Sequence, residues 1–136
     1  MQVQTALAMK PMKAAPPARV RDEPLDRGKR GERTMEICEA MIDICAALYN
    51  VPSKEMRQTG RCEADVARVR QIAMYVTHVS LGVSMHEVGR GFVRDRTTVR
   101  HACHLIEDMR EDEDFDRAIA TTEKVALAAF RGRLEV

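Results

Sequence analysis

All-α is the fold class this sequence predicts, on three observations. Aromatic residues are scarce, with no Trp, two Tyr and three Phe in 136 residues, while alanines and nine methionines favour helices over sheets. Alternating runs of Val, Ile, Thr and aromatic residues, the mark of a half-buried strand, are absent. Apolar residues recur instead three and four positions apart in several segments. The length suits one domain with a true core and a loose end.

The elements follow in order. Residues 1–33 hold four of the five prolines and eight Lys/Arg against four Asp/Glu, ending in "KPMKAAPPARVRDEPLDRGKRGER". Too little apolar surface is present to offset ordering, so this reads as a disordered, flexible basic arm, either a leader without a role or a non-specific DNA tether. At Thr34 the pattern changes. Thr34 is expected to cap a helix whose stripe is Ile37, Cys38, Met41, Ile42, Cys45, Leu48 and Tyr49. "NVPSKEM" ends that helix, with Ser53 opening a short helical turn, and "RQTGRCE" reads as a polar loop. A second long helix is expected from about Glu63 to Leu81, burying Val66, Val69, Ile72, Ala73, Val76 and Val79, with Gly82 to stop it.

"VSMHEVGRGF" carries the strongest local signal. Ser84 and Glu87 have the spacing of a capping box, and Val83 and Val88 that of a hydrophobic staple. The helix they start should be short, since Gly89 and Gly91 weaken it, and Phe92 reads as a core plug. "VRD" then turns the chain, Asp95 is expected to cap the next helix, and Val99, Ala102, Ile106 and Met109 form its core face. "EDED" at Glu111–Asp114 reads as a solvated linker. A last helix carries Phe115, Ile119, Ala126 and Phe130, a stripe that either packs back or pairs with another copy to form a homo-oligomer. The expected division is thus an arm over 1–33, a domain over 34–110 and an acidic linker with a C-terminal helix over 111–136.

Short helix, tight turn and longer helix between Ser84 and Met109 is the helix-turn-helix plan, in which the second helix enters the DNA major groove N-terminus first. With Val99, Ala102 and Ile106 inward, Arg96, Thr97 and Arg100 fall on the outer part of the first turns. Arginine suits guanine O6 and N7, threonine offers a hydroxyl and a methyl, and a helix N-terminus favours phosphate.

Three stretches go further. "RVRQIAMY" at Arg68–Tyr75, "SMHEVG" at Ser84–Gly89 and "RDRTTVRHA" at Arg94–Ala102 resemble the C-terminal DNA-binding domain of the bacterial replication initiator family, DnaA. The likeness runs from about Thr34 to Arg110. It implies a Trp-repressor-like helical domain whose partner is a short site in double-stranded DNA. By that resemblance Asp95, Arg96, Thr97 and Thr98 face bases, and Arg94 and Arg100 beside them are expected to contact bases too. Phosphate or minor-groove contacts are implied or expected at Arg57, Arg61, Arg68, Arg70, Gln71, Ser84, His86 and His101. Three positions depart from the family pattern: Arg96 stands where it has His, Val93 where it has a Gly, and Cys62 where it has the minor-groove arginine, with Arg61 one residue early.

Other classes fit less well. No stretch is long and apolar enough for a membrane span, and no secretory signal opens the chain. Four cysteines without a CxxC pair suggest a reducing cytoplasm, at the nucleoid if DNA is the partner. Cys38, Cys45 and Cys103 read as small buried hydrophobes, and Cys62, His101, Cys103 and His104 match no common ligand spacing, so no metal is expected. Asp95 with His101 lacks the third partner that acid–base chemistry needs, so no catalysis is expected. No G-x-x-x-x-G-K-[ST] occurs, so neither a nucleotide nor any other cofactor is expected. His78 and His86 read as surface residues near DNA or as ordinary solvated histidines. The functional expectation is a sequence-specific DNA-binding regulator of transcription. The alternatives are a modulator of replication initiation occupying initiator sites, or an interaction module that has lost DNA binding.

Overall fold

A computed structural model describes residues 27–60 and 62–131. Six helices and no strand occur among them: α1 Arg27–Tyr49, α2 Ser53–Met56, α3 Ala64–Val79, α4 Met85–Phe92, α5 Arg96–Met109 and α6 Glu113–Ala129. The all-α expectation holds.

α3 is the central helix and touches every other helix. The sequence explains why: from Val66 through Val76 it presents apolar side chains on several sides, and Val69, Ile72, Ala73, Met74, Tyr75 and Val76 are all buried. Around it α1 contributes Cys38, Met41, Ile42 and Cys45, and α5 contributes Val99, Ala102, Ile106 and Met109, all buried as their spacing predicts. Gly82, at φ 76°, ends the turn after α3 and lets the Val83 amide return to Thr77 O at 3.2 Å.

Four expectations are corrected. α1 begins at Arg27, so Thr34 lies inside the helix, buried rather than capping it, and residues 27–33 of the expected arm are helical; residues 1–26 lie outside the described residues. Leu48, expected on the α1 stripe, is left exposed. His78 is buried, with Nδ1 donating to Val83 O at 2.7 Å. Nor are Gly89 and Gly91 mere weak points, since α4 runs through both. A Cβ on Gly91 would overlap Cys38 Sγ of α1, and one on Gly89 would sit 2.6 Å from Arg94 O. Both glycines are where backbone must come close.

α6 settles the choice left open for its stripe. Phe115, Ile119, Ala126 and Phe130 are buried, and the helix packs on α1 and α3. These side chains join the same buried core as those of α1 and α3. "EDED" is more than linker: the Asp112 carboxylate accepts from Phe115 N at 2.9 Å and caps α6. Arg110 ties the end of α5 to its neighbours, donating to Asp116 at 2.5 Å, Tyr75 Oη at 3.2 Å and Glu123 at 3.3 Å. Burial works against its charge, but the bonds to Asp116 and Tyr75 outweigh that and raise its pKa. Tyr75 in turn donates to Glu107 at 2.6 Å, and Ser80 to Glu123 at 2.8 Å.

Candidate nucleic-acid interface

The start of α4 is fixed as its sequence signature predicts. Ser84 Oγ accepts from Glu87 N at 3.2 Å and donates to Glu87 Oε1 at 3.3 Å. The reciprocal half thus runs through the Ser84 hydroxyl. At the other end Val93 adopts the left-handed conformation, φ 56° and ψ 53°, and Arg94 N returns to Gly89 O at 2.8 Å. This reversal usually falls to glycine, because a Cβ crowds the following carbonyl. Valine accepts it here with its side chain largely in solvent, 66% exposed.

The turn delivers α5 with its first residues outward. Asp95, Arg96, Thr97, Thr98, Arg100 and His101 are exposed, while Val99 is fully buried. The opening amides of a helix have no partner inside it. Asp95 occupies the cap position but makes no side-chain cap bond, which corrects the capping role expected of it. The N-terminus of α5 therefore presents open amides between Arg96 and Arg100, a favourable setting for an anion. In the last turn of α4 Arg90 is exposed too. Sequence reasoning passed over Arg90; its position on the helix that crosses the DNA backbone in this plan is the signal that could have found it.

The remaining expected contact residues separate into two groups. His86 is exposed, and Gln71 is half-buried, accepting from Arg68 Nη1 at 2.7 Å. Desolvation lowers the pKa of Arg68, whose Nε is buried without a partner. Others are engaged within the protein. Arg57 pairs with Glu39 at 2.7 Å and Asp43 at 3.2 Å on α1, and the Glu39 hydrogen bond raises its pKa.

Arg70 is buried, its Nε donating to Met56 O at 2.9 Å and its Nη2 to Glu55 O at 3.2 Å, which revises its expected exposure to phosphate. Arg94, expected at the bases, is half-exposed but tied to backbone, donating to the carbonyls of Phe92 at 3.1 Å, Val93 at 2.9 Å and Gln58 at 2.7 Å. Gln58 is a second residue that the sequence did not single out, because its backbone, not its side chain, is what matters. Arg61 lies outside the described residues, and Cys62 is half-buried beside Arg70.

No group of three or more His, Cys, Asp or Glu suited to a metal ion occurs among the described residues. None of their helices is long and apolar enough to cross a membrane.

A short capped helix, a three-residue turn and a longer helix with its polar start in solvent define a helix-turn-helix protein. The family model for the bacterial dnaA protein helix-turn-helix matches residues 38–106, half of the chain, and the chain belongs to that family. Curated relatives carry the name chromosomal replication initiator protein DnaA. The one from Laribacter hongkongensis is 37% identical over 82 residues, covering 59% of this chain and 17% of the relative. That from Mesorhizobium japonicum is 36% identical over 87 residues, covering 63% of this chain and 18% of the relative. That from Caldanaerobacter subterraneus is 33% identical over 95 residues, covering 68% and 21%. The chain therefore spans about a fifth of the relatives it matches.

Proposed function

We propose that this chain is a non-catalytic, sequence-specific double-stranded DNA-binding protein of the nucleoid that regulates transcription. The observation that carries this reading is the start of α5. Arg96, Thr97, Thr98 and Arg100 are exposed around open helix amides, while Val99, Ala102 and Ile106 hold the helix to the core. Arg96 suits a bidentate contact to guanine, and the threonines suit thymine methyl groups or phosphate. Asp95 accepts from a cytosine amino group, and His101, Gln71 and His86 stand to phosphate. Ser84 fixes the angle at which α4 delivers the turn.

A second reading, occupation of initiator sites to modulate replication, is favoured by the relatives' name. Arg96 and Cys62, where the family pattern has His and Arg, favour a different site and hence the first reading. Selection of the full chain against a pool of random duplexes, followed by a salt titration on the winner, tests both. The expected result is one enriched motif, distinct from the initiator box, whose log affinity falls linearly with log salt concentration. Enrichment of the initiator box itself supports the replication reading. No enrichment and no salt dependence refute DNA binding and leave the interaction-module reading.

A further inference from the structure

Two guanidinium groups converge on one backbone carbonyl at the edge of the reading surface. Arg94 Nη2 donates to Gln58 O at 2.7 Å, and Arg70 Nη2 lies 3.5 Å from the same oxygen. The other arm of Arg94, Nη1, brackets the carbonyls of Phe92 and Val93 at 3.1 and 2.9 Å. One side chain thus joins the turn ahead of α5 to the loop after α2, 36 residues earlier. Beneath it Arg70, from α3, holds the end of α2 through Met56 O at 2.9 Å and Glu55 O at 3.2 Å, and reaches past it to Cys62 Sγ at 3.5 Å.

Two like charges this close, half out of water, oppose each other. Burial first, and then the charge of Arg70, lowers the pKa of Arg94. An arginine in that position would swing into solvent unless its acceptors held it. Three carbonyls on two segments do so, and only a planar fork of five N–H groups reaches them all. A lysine ammonium reaches one segment or the other.

We propose that Arg94 is a positioning residue for DNA recognition, clasping the loop after α2 to the turn before α5 so that both meet the duplex as one rigid edge. The proposal rests on the DNA-binding reading above and gives Arg94 no base or phosphate of its own.

The test uses the full chain with Arg94→Lys and Arg94→Ala. One readout is amide hydrogen exchange in the free protein at Arg57 and Gln58, whose N–H groups donate to Lys54 O and Glu55 O at 3.2 Å. The other is affinity and base preference in the random-duplex selection. Arg94→Lys, although it keeps the charge, should behave like Arg94→Ala. Those amides should exchange about ten-fold faster, the factor that one lost hydrogen bond gives. Affinity should fall on all duplexes while preference at the bases beneath α5 stays the same.

Wild-type exchange in both variants overturns the clasp. Wild-type affinity in Arg94→Lys makes Arg94 a phosphate contact instead, and a changed preference at one base step beneath α5 makes it a reader; either result also overturns the proposal. If no duplex binds even the wild type, the DNA-binding reading fails, and the exchange of the free protein still decides whether the clasp exists.

Discussion

Val93→Gly should stabilise this protein, although it removes a side chain. Val93 ends α4 at φ 56° and ψ 53°, and its side chain is 66% exposed. An L-residue in that region costs roughly 1–2 kcal/mol relative to its preferred backbone angles. The exposed isopropyl group returns little burial in compensation. Glycine removes the backbone penalty but gives back about 0.4–1 kcal/mol through the greater freedom of its unfolded chain. The balance is a gain of about 1 kcal/mol. With an unfolding entropy near ~2.1 cal/mol/K per residue, a domain of about a hundred residues gains roughly 4–5 °C in Tm.

Thermal unfolding of the full chain followed by circular dichroism at 222 nm reads this directly. Val93→Asn should fall between glycine and the wild type, because asparagine tolerates the left-handed region. The same protein uses asparagine there at the end of α1, Asn50 at φ 56°. A Tm for Val93→Gly equal to or below the wild type would refute the strain argument.

Four further outcomes follow from the same geometry. Arg96→Ala should cost roughly 1–3 kcal/mol on the selected site and relax preference at one base step, as read by repeated selection; full affinity with unchanged preference would remove Arg96 from the reading set. Ser84→Ala removes the acceptor for Glu87 N and should lower stability by about 1 kcal/mol in urea unfolding, and an unchanged midpoint would show the cap to be idle. Gly91→Ala drives a methyl group into Cys38 and should cost on the order of 1–3 kcal/mol, so a rise in its urea midpoint would contradict the close approach of α4 and α1. Burial pushes the thiols of Cys38, Cys45 and Cys103 up to about 12, so a thiol reagent at pH 8 should modify Cys62 quickly and those three only in denaturant. Rapid labelling of any of the three would show that the core opens.

What could be read from the sequence was what depends on neighbours along the chain. The Ser84 cap, the Gly82 stop and the Val99–Ala102–Ile106 stripe each arise within a few turns, and each is found where its spacing puts it. Contacts between distant segments were not legible. Arg70 and Arg94 looked like cations free to face DNA because the groups that hold them are carbonyls, which every residue possesses and no pattern marks. Gly91 looked like a weak point because its meaning lies in Cys38, on another helix. The early start of α1 was hidden as well, since Arg27–Arg33 has no apolar stripe and contains Gly28 and Gly31, both poor helix formers.

The exposed start of α5 and its buried remainder obey different constraints. Arg96, Thr97, Thr98 and Arg100 project into solvent, while Val99, Ala102, Cys103, Ile106 and Met109 fill the core. A change in the first set costs little folding energy, because surface substitutions of this kind usually shift stability by less than about 0.5 kcal/mol. A change in the second set is expensive whatever it does for binding. New binding sites can therefore be explored by single substitutions, with the stability of the domain held constant throughout. Arg96 belongs to the first set, so an exchange there leaves the residues beneath it undisturbed.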